Sequence, residues 1–458
     1  AHRVALDVVY TIVQAAGAYR GYGATQCTFA VESAVNELAH KMGMDPVKVK
    51  EMNMPVEGGP LPGYPDVPYA QSCSMDRCMA RAKEMMDWDS KYPCRDMGNG
   101  KVRGVGVAMA MQGSSIAGVD VGGADIKLNE DGSYTLALGC TDMGTGCDTV
   151  MAQIAADCLN TPMDNIVVFS VDTDISPYDS GSYASATTYT TGVAVMKACE
   201  ELKKKICKLG AEMMEVDEGK VDFDGSCVFY DETLEISDGA DGNAAGHMTD
   251  AEEGYSVDMD AISSENAQKK VSLEDIALKS TFFNNIELQV VKQHSSPISP
   301  PPFMVGMAEV EVDTETGSVD VLDYVAVVDC GTPINPNLAR VQTEGGIAQG
   351  IGMALWEDVQ YTDKGKIRNN SFMQYKIPTR QDIGNIRVDF ECSYEKSGPF
   401  GAKSIGELVI DTPCPALAEA IYNATGVRLT ELPMTPEKIA MEILKNREST
   451  RSGTKVEE

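Results

Sequence analysis

Apolar residues recur with a helical period from Cys27 to Met42, at Phe29, Ala30, Val31, Ala34, Val35, Leu38 and Ala39, and Gly43 closes the run. Asp45 followed by Pro46 has the form of a capping residue with proline in the first turn, which predicts a short second helix. Residues 61–103 lose this periodicity. Rich in Pro, Met, Asp and Cys, they read as irregular chain with one short helix near 76–87, after which Gly104–Met111 reads as a strand. Ala124–Leu128 and Ser133–Leu138 flank the turn sequence Asn129-Glu130-Asp131-Gly132, a β-hairpin. A glycine-rich loop (139–146), a helix (Asp148–Leu159), a strand (Ile166–Val171), a polar loop (173–188) and a long helix (Tyr189–Leu209) follow.

The pattern then breaks and returns. Residues 231–268 hold eleven acidic residues and no Lys or Arg, with interspersed glycines, and read as a solvated surface insertion without the spacing of a calcium loop. Met307–Val312 and Ser318–Val328 form a second hairpin about Thr316-Gly317. Its strands, beginning Ala308-Glu309-Val310 and Gly317-Ser318-Val319, echo Ala124-Asp125-Ile126 and Gly132-Ser133-Tyr134 of the first. Each hairpin leads to a glycine-containing loop and a helix, the second at Val341–Leu355. Further helices are expected at Pro415–Ala424 and from Thr435-Pro436-Glu437. The expected fold is α+β, with two related α/β halves at 1–230 and 269–446, the acidic insertion 231–268 between them, and a charged, loose tail at 447–458.

Length and charge narrow the function. A chain of 458 residues exceeds one small domain and can bury a large core without staples. A net charge of −31 disfavours phosphate backbones and anionic lipid, so neither nucleic acid nor a membrane surface is an expected partner. Thirteen scattered cysteines with no C-x-x-C spacing read as reduced thiols, not as disulfides or an iron–sulfur cluster on this chain. The apolar stretch Val4–Tyr19 is interrupted by Asp7 and Gln14, so it does not read as a secretion signal. No run approaches the roughly 20 apolar residues of a membrane span. Together these point to the cytoplasm.

Several common chemistries drop out. The four histidines, His2, His40, His247 and His294, lack metal-ligand spacing, and no G-x-S-x-G elbow is present. Gly401-Ala402-Lys403-Ser404 lacks the glycines of a phosphate-binding P-loop. What remains is a set of small-residue loops beside helix starts: Arg20–Ala24, Met143–Gly146, Ser182–Thr187, Gly345–Gly350 and Gly401–Glu407. Such loops expose backbone N–H groups and suit a large, polar, phosphate-bearing ligand, or they are turn and packing glycines.

At these loops the chain resembles the molybdenum hydroxylase family of xanthine dehydrogenases, aldehyde oxidoreductases and nicotinate dehydrogenases. Ala18-Tyr19-Arg20-Gly21-Tyr22-Gly23-Ala24-Thr25-Gln26 is similar to the family's A-[FY]-R-G-[FY]-G-x-x-Q, and Asp142-Met143-Gly144-Thr145-Gly146 to E-M-G-Q-G. Cys330–Pro336, Gln342, Glu344–Gly346, Gln349–Gly352, Gly401–Glu407, Pro415-Ala416 and Leu432–Pro436 continue the series in order, almost from end to end. The resemblance implies the family's second molybdopterin-binding domain. The pterin would be in mononucleotide or cytosine dinucleotide form and carry molybdenum with a terminal sulfido or selenido ligand, and no side chain would bind the metal directly.

Carried over by position, Glu407 is the expected catalytic base. Arg20, Gly21, Met143, Gly144, Thr145, Ser182, Tyr183, Ala184, Ser185, Thr187, Gln349 and Gly406 are the expected cofactor contacts, and Tyr22 the substrate-stacking aromatic. Two departures stand out. Thr145 replaces the usual glutamine, and Gly21 stands where carbon monoxide dehydrogenases carry a copper-binding cysteine. The family places a first molybdopterin-binding half before the A-Y-R-G motif, which implies a separate subunit supplying it, as in nicotinate dehydrogenase-type enzymes. [2Fe–2S] and FAD centres are expected on further partner subunits. The implied reaction is hydroxylation of an N-heteroaromatic small molecule, nicotinate or purine-like, with water as oxygen source. An aldehyde-oxidising member of the family, or a non-catalytic structural or cofactor-insertion subunit, is the alternative.

Overall fold

The structure is a computed structural model that describes residues 7–62, 66–234, 269–284 and 286–452. It divides into two compact units that interleave in sequence: Ala1–Asp120, Ser182–Tyr189 and Ser296–Glu458 form one, Val121–Gly181 and Thr190–Ser295 the other. This differs from the consecutive halves expected at 1–230 and 269–446. Local pattern marks hairpins, whereas the partition is decided by which distant strands pair. The expected acidic insertion lies outside the described residues from 235 onward.

In chain order the first unit opens with α1 (Ala24–Lys41), α2 (Pro46–Glu51), α3 (Met75–Met86), α4 (Trp88–Lys91), β1 (Cys94–Gly98) and β2 (Lys101–Met111). The second unit holds β3 (Gly122–Leu128), β4 (Tyr134–Leu138), α5 (Cys147–Leu159), β5 (Ile166–Phe169), α6 (Gly192–Met214), β6 (Val221–Phe223), β7 (Cys227–Tyr230), β8 (Lys270–Ser272), α7 (Leu273–Leu278) and β9 (Gln289–His294). The chain returns to the first unit with β10 (Phe303–Asp313), β11 (Val319–Asp329), α8 (Pro336–Leu355), β12 (Asn385–Phe390), α9 (Pro413–Thr425) and α10 (Pro436–Ser452).

The first unit is built on a five-stranded sheet in the order β1-β2-β10-β11-β12, antiparallel except for the parallel β11/β12 pair. β10 is buried on both faces. Met304, Ala308, Val310 and Val312 join a core with α8 and α9, while Phe303, Val305 and Met307 join another with α3. That double burial explains why its sequence is a nearly continuous apolar run. A bulge opposite Glu309/Val310 changes the parity of β11, so that Val321 and Tyr324 both reach the α8/α9 core.

Two glycines let α9 sit directly on β2. A Cβ at Gly104 would stand 2.2 Å from the carbonyl oxygen of Ala420, and one at Gly106 2.1 Å from that of Ala416. Caps follow the sequence signals: Asp45 accepts the Val47 amide at 2.8 Å, and Asn335 accepts that of Leu338 at 3.0 Å ahead of Pro336.

The second unit has a four-stranded sheet, β5-β4-β3-β9, and a three-stranded one, β6-β7-β8. The hairpin expected about Asn129–Gly132 is β3/β4, paired from Ala124↔Leu138 to Leu128↔Tyr134. Alternate residues Ala124, Ile126, Leu128, Tyr134, Leu136 and Leu138 are buried, as a half-covered sheet requires.

Three local expectations need correction. The segment read as irregular contains β1 and α4; Cys94–Gly98 is almost wholly exposed, so it carries no alternation to detect. The long helix begins at Gly192, not Tyr189, after a wide turn over Thr187–Thr191. The tail from Arg447 does not start loose, because α10 stays helical to Ser452. Among the described residues, no helix is long and apolar enough to cross a membrane.

Candidate active site

Two loops of the first unit meet at Arg20. The turn Tyr19–Tyr22, closed by the Tyr22 amide donating to the Tyr19 carbonyl at 2.8 Å, presents the guanidinium to α8 and to the loop before α9. Arg20 Nε donates to Gly406 O at 2.6 Å, Nη1 to Gln349 Oε1 at 3.0 Å and Nη2 to Gln342 O at 3.1 Å. One planar fork therefore ties together three segments far apart in sequence. Gly346 on α8 leaves room for it, since a Cβ there would lie 3.1 Å from Arg20 Cζ.

The carboxylate of Glu407 is held on the same platform. The Gly21 amide donates to its Oε1 at 3.2 Å and Ser185 Oγ to its Oε2 at 3.3 Å, while the Glu407 amide donates to Ser185 Oγ at 2.9 Å. Burial pushes the Glu407 carboxyl above the ordinary glutamate range; the Ser185 hydroxyl, the Gly21 N–H and the Arg20 charge pull the other way. A half-buried carboxylate with a raised proton affinity, oriented by two donors, has the properties of a general base.

Gly21 has φ +86°, and a Cβ there would meet Asp411 Oδ1 at 3.0 Å, so glycine is needed both for backbone and for space. Ala184 and Ser185 are consecutive left-handed residues (φ 50° and 55°), which turn Ser185 towards Glu407. Thr187 Oγ1 donates to Ser182 Oγ at 2.9 Å, bracing the loop. Tyr22 and Tyr183 are exposed aromatics on these loops.

The structure thus brings Arg20, Gly21, Ser185, Gln349, Gly406 and Glu407 together. Met143, Gly144 and Thr145 belong to the second unit, in the loop capping α5. There Asp142 Oδ1 accepts the amides of Gly144 and Gly146 at 2.8 and 3.1 Å, so the amide of Gly144, an expected cofactor contact, is engaged internally. The exposed Met143 side chain and the open face of Gly144, with no atom within 4 Å of a built Cβ, remain for a ligand. Asp142, Cys147 and Asp148 come within 4.8 Å of one another. Asp142 caps the loop and Asp148 accepts Ser170 Oγ at 2.8 Å, which accounts for both carboxylates.

Two contributors were not among the expected contacts. Gln342, part of the motif series, enters through its backbone carbonyl, which no residue-type argument reveals. Asp411 is fully buried against Gly21; its one signal is a carboxylate four positions after Glu407 at the end of the apolar run Leu408-Val409-Ile410.

Two family models described as molybdopterin cofactor-binding domains match the chain, one over residues 81–384 and the other over residues 1–54. The chain belongs to the molybdenum hydroxylase family. It is 33% identical over 439 residues to the probable hypoxanthine oxidase XdhD of Escherichia coli (strain K12), covering 92% of this chain and 41% of that protein. It is 28% identical over 449 residues to the nicotine 6-hydroxylase large subunit of Paenarthrobacter nicotinovorans, covering 92% and 50%. The solved structure of quinoline 2-oxidoreductase from Pseudomonas putida 86 superposes with a TM-score of 0.77 at 22% identity, over 94% of this chain and 53% of that one. This molybdenum hydroxylase chain therefore spans about half the length of the relatives it matches.

The residues present fit the family's pterin. The Arg20 guanidinium is locked by carbonyls, and Gln349, its Oε1 engaged by Arg20, keeps its amide donors for another acceptor. Ser182 adds a hydroxyl, whereas those of Ser185 and Thr187 already donate to Glu407 and to Ser182. A Cβ at Gly406 would press within 3.1 Å of Ser185 Oγ, so the platform depends on backbone that side chains would fill. Neutral donors with one fixed cation are the donor set an anionic, hydrogen-bonding cofactor requires.

Proposed function

We propose that this chain is the molybdopterin-binding part of a multi-subunit molybdenum hydroxylase that hydroxylates an N-heteroaromatic ring, purine-like or nicotinate-like, with water as oxygen source and Glu407 as general base. The observation that carries the reading is the Glu407 carboxylate, half-buried and fixed by the Gly21 N–H and the Ser185 hydroxyl. When bound, the pterin-held molybdenum supplies the two-electron oxidising chemistry. Everything else falls to the protein. Arg20 and Gln349 hold the cofactor platform, with Ser182 to Thr187 beside it. Glu407 takes a proton from the water-derived nucleophile, and its raised proton affinity favours the transfer. The exposed ring of Tyr22 is available to stack on a flat substrate.

The heteroaromatic class is supported by Tyr22 and by two relatives whose names refer to hypoxanthine and nicotine. The cofactor in this reading carries a terminal sulfido or selenido ligand, with a mononucleotide or cytosine dinucleotide pterin. A subunit supplying the first molybdopterin-binding half, an iron–sulfur subunit and an FAD subunit complete the complex in the cytoplasm.

The test is Glu407→Gln in the native complex. The amide keeps the carboxylate's shape but cannot accept the proton. Molybdenum per chain should stay at the wild-type level while turnover per molybdenum falls by about 10²–10⁴-fold. Full molybdenum with near-normal turnover would remove Glu407 from the chemistry.

A further inference from the structure

The turn that carries Glu407 carries a second carboxyl. The Ile410 amide donates to Glu407 O at 3.3 Å and the Asp411 amide to Leu408 O at 3.1 Å, so the turn closes tightly and returns residue 411 towards residue 407. Asp411 is fully buried, and neither of its carboxyl oxygens has a hydrogen-bond partner. Its Oδ1 lies 3.0 Å from the point where a Cβ on Gly21 would stand, against the residue whose N–H donates to Glu407. Arg20 is the nearby cation, but its donors go to Gly406, Gln342 and Gln349.

The titratable or charged groups that face Asp411 are Glu407 on its own turn, Arg20 on the loop before α1, and Cys414 in the first turn of α9. α8, packed on the same turn, brings the neutral Gln342 and Gln349 to Arg20. An ionised carboxylate in this position would have lost its water and gained no donor, the arrangement a buried acid avoids by keeping its proton.

We propose that Asp411 is a positioning residue for the Glu407 base: a carboxyl held neutral behind the Arg20–Gly21 loop, so that Glu407 alone is negative there and stays ready to accept a proton. This rests on the reading of Glu407 as the base. Burial moves Asp411 up to about 8, with the Glu407 charge adding to the rise and Arg20 opposing it. Asp411 therefore begins to ionise just above neutrality. Once it does, a second negative charge beside Glu407 makes Glu407 hold its proton more tightly.

The test compares wild type with Asp411→Asn, which is nearly isosteric and permanently neutral. In the full chain, the unfolding equilibrium is measured against pH. A proton kept in the folded state and lost in the unfolded one makes wild type lose stability relative to the variant, up to tenfold in the folding equilibrium constant per pH unit between about 4 and about 8, and no further above that. A flat difference, or one with the opposite slope, overturns the proposal. In the complex, turnover per molybdenum in wild type should change near pH 8 and that change should vanish in Asp411→Asn; identical profiles overturn the positioning role.

Should the variant not fold, infrared titration of the wild-type chain decides. The carbonyl band of a protonated carboxyl should persist at pH 7 and disappear near pH 8, and its absence at pH 7 refutes a neutral Asp411. Glu407→Gln with normal turnover would sink the base reading while leaving the stability slope and the band in place, so the two failures are separable.

Discussion

Ser185 and Glu407 are bonded twice, the Glu407 amide giving its proton to Ser185 Oγ at 2.9 Å and Ser185 Oγ giving its own to Glu407 Oε2 at 3.3 Å. The reciprocal pair fixes both the backbone and the carboxylate of Glu407 from one hydroxyl. It also ties the protonation of Glu407 to a residue on a different loop, one bent by two consecutive left-handed residues.

Ser185→Ala removes a donor that favours the charged carboxylate. The Ser185 hydroxyl is one of the groups that hold the Glu407 carboxyl down against burial, so its removal should raise the proton affinity of Glu407. The sign follows from its role. Glu407 works ionised, and activity is lost as pH falls through its pKa, so a higher pKa moves the acid limb of kcat/KM upward. A pH profile of the Ser185→Ala complex checks this, and an unmoved acid limb would mean that the hydroxyl does not govern the carboxylate.

Arg20→Lys should act on assembly of the platform rather than on the proton transfer. An ammonium is a point charge and cannot reach Gly406 O, Gln342 O and Gln349 Oε1 at once. Leaving part-buried carbonyls unpaired costs about 2 kcal/mol or more. Molybdenum per chain should fall well before turnover per molybdenum does. Metal analysis and turnover on the same preparation distinguish this from a direct catalytic effect, which would reduce turnover at full metal.

How far these contacts could be read in the sequence depended on their range. The β3/β4 hairpin was legible because Asn129–Gly132 interrupts a clean alternation, and α2 because Asp45-Pro46 is a local cap. The segments of the site were legible as motifs through family resemblance, and the family models bear out that resemblance. The Arg20 fork was not, because two of its three acceptors are backbone carbonyls that any sequence could supply. Asp411 was hidden for a related reason. Followed by Thr412 and Pro413, it reads as an ordinary helix-start residue, and only the packing of Gly21 against it shows that its carboxyl caps nothing. The interleaved units were not legible either, since the alignment of β2 with β10 from Met111↔Phe303 to Lys101↔Asp313 leaves no local mark.

Gly106→Ala should destabilise the first unit without touching the chemistry. The new methyl would stand 2.1 Å from Ala416 O and 2.4 Å from Ala420 N, backbone atoms of α9 that move only if the helix does. Forcing such a shift costs about 1–3 kcal/mol. The same change at Gly23, where a built Cβ meets nothing within 4 Å, cannot clash in this way and is strained only through its φ of +91°. Chemical denaturation of both variants tests the packing argument, and a Gly106→Ala chain as stable as wild type would contradict it.

Lys403 shows which part of the Gly401–Glu407 loop is structural. It is fully buried, with Nζ 3.0 Å from Asp329 Oδ1, itself fully buried, and 3.1 Å from Ser72 O, over the Phe303 ring at 4.9 Å. Asp329 is further held by the Ser74 amide at 2.8 Å and Ser393 Oγ at 2.7 Å, so the pair is hydrogen-bonded throughout. Next to it, the Ser404 amide donates to Ser114 Oγ at 3.0 Å. These contacts pin the loop from below and leave Glu407 facing Gly21 and Ser185. Lys403→Met would strand the Asp329 charge, which costs about 3–5 kcal/mol in a buried pair. Adding Asp329→Asn removes that charge, so the double variant should be more stable than Lys403→Met alone, the opposite of additive damage. Denaturation of the four forms measures the coupling. Lys403→Met should also lower stability and molybdenum content together, whereas Glu407→Gln should lower turnover alone. A Lys403→Met chain with wild-type stability would show that the loop is held by its backbone contacts and not by the buried pair.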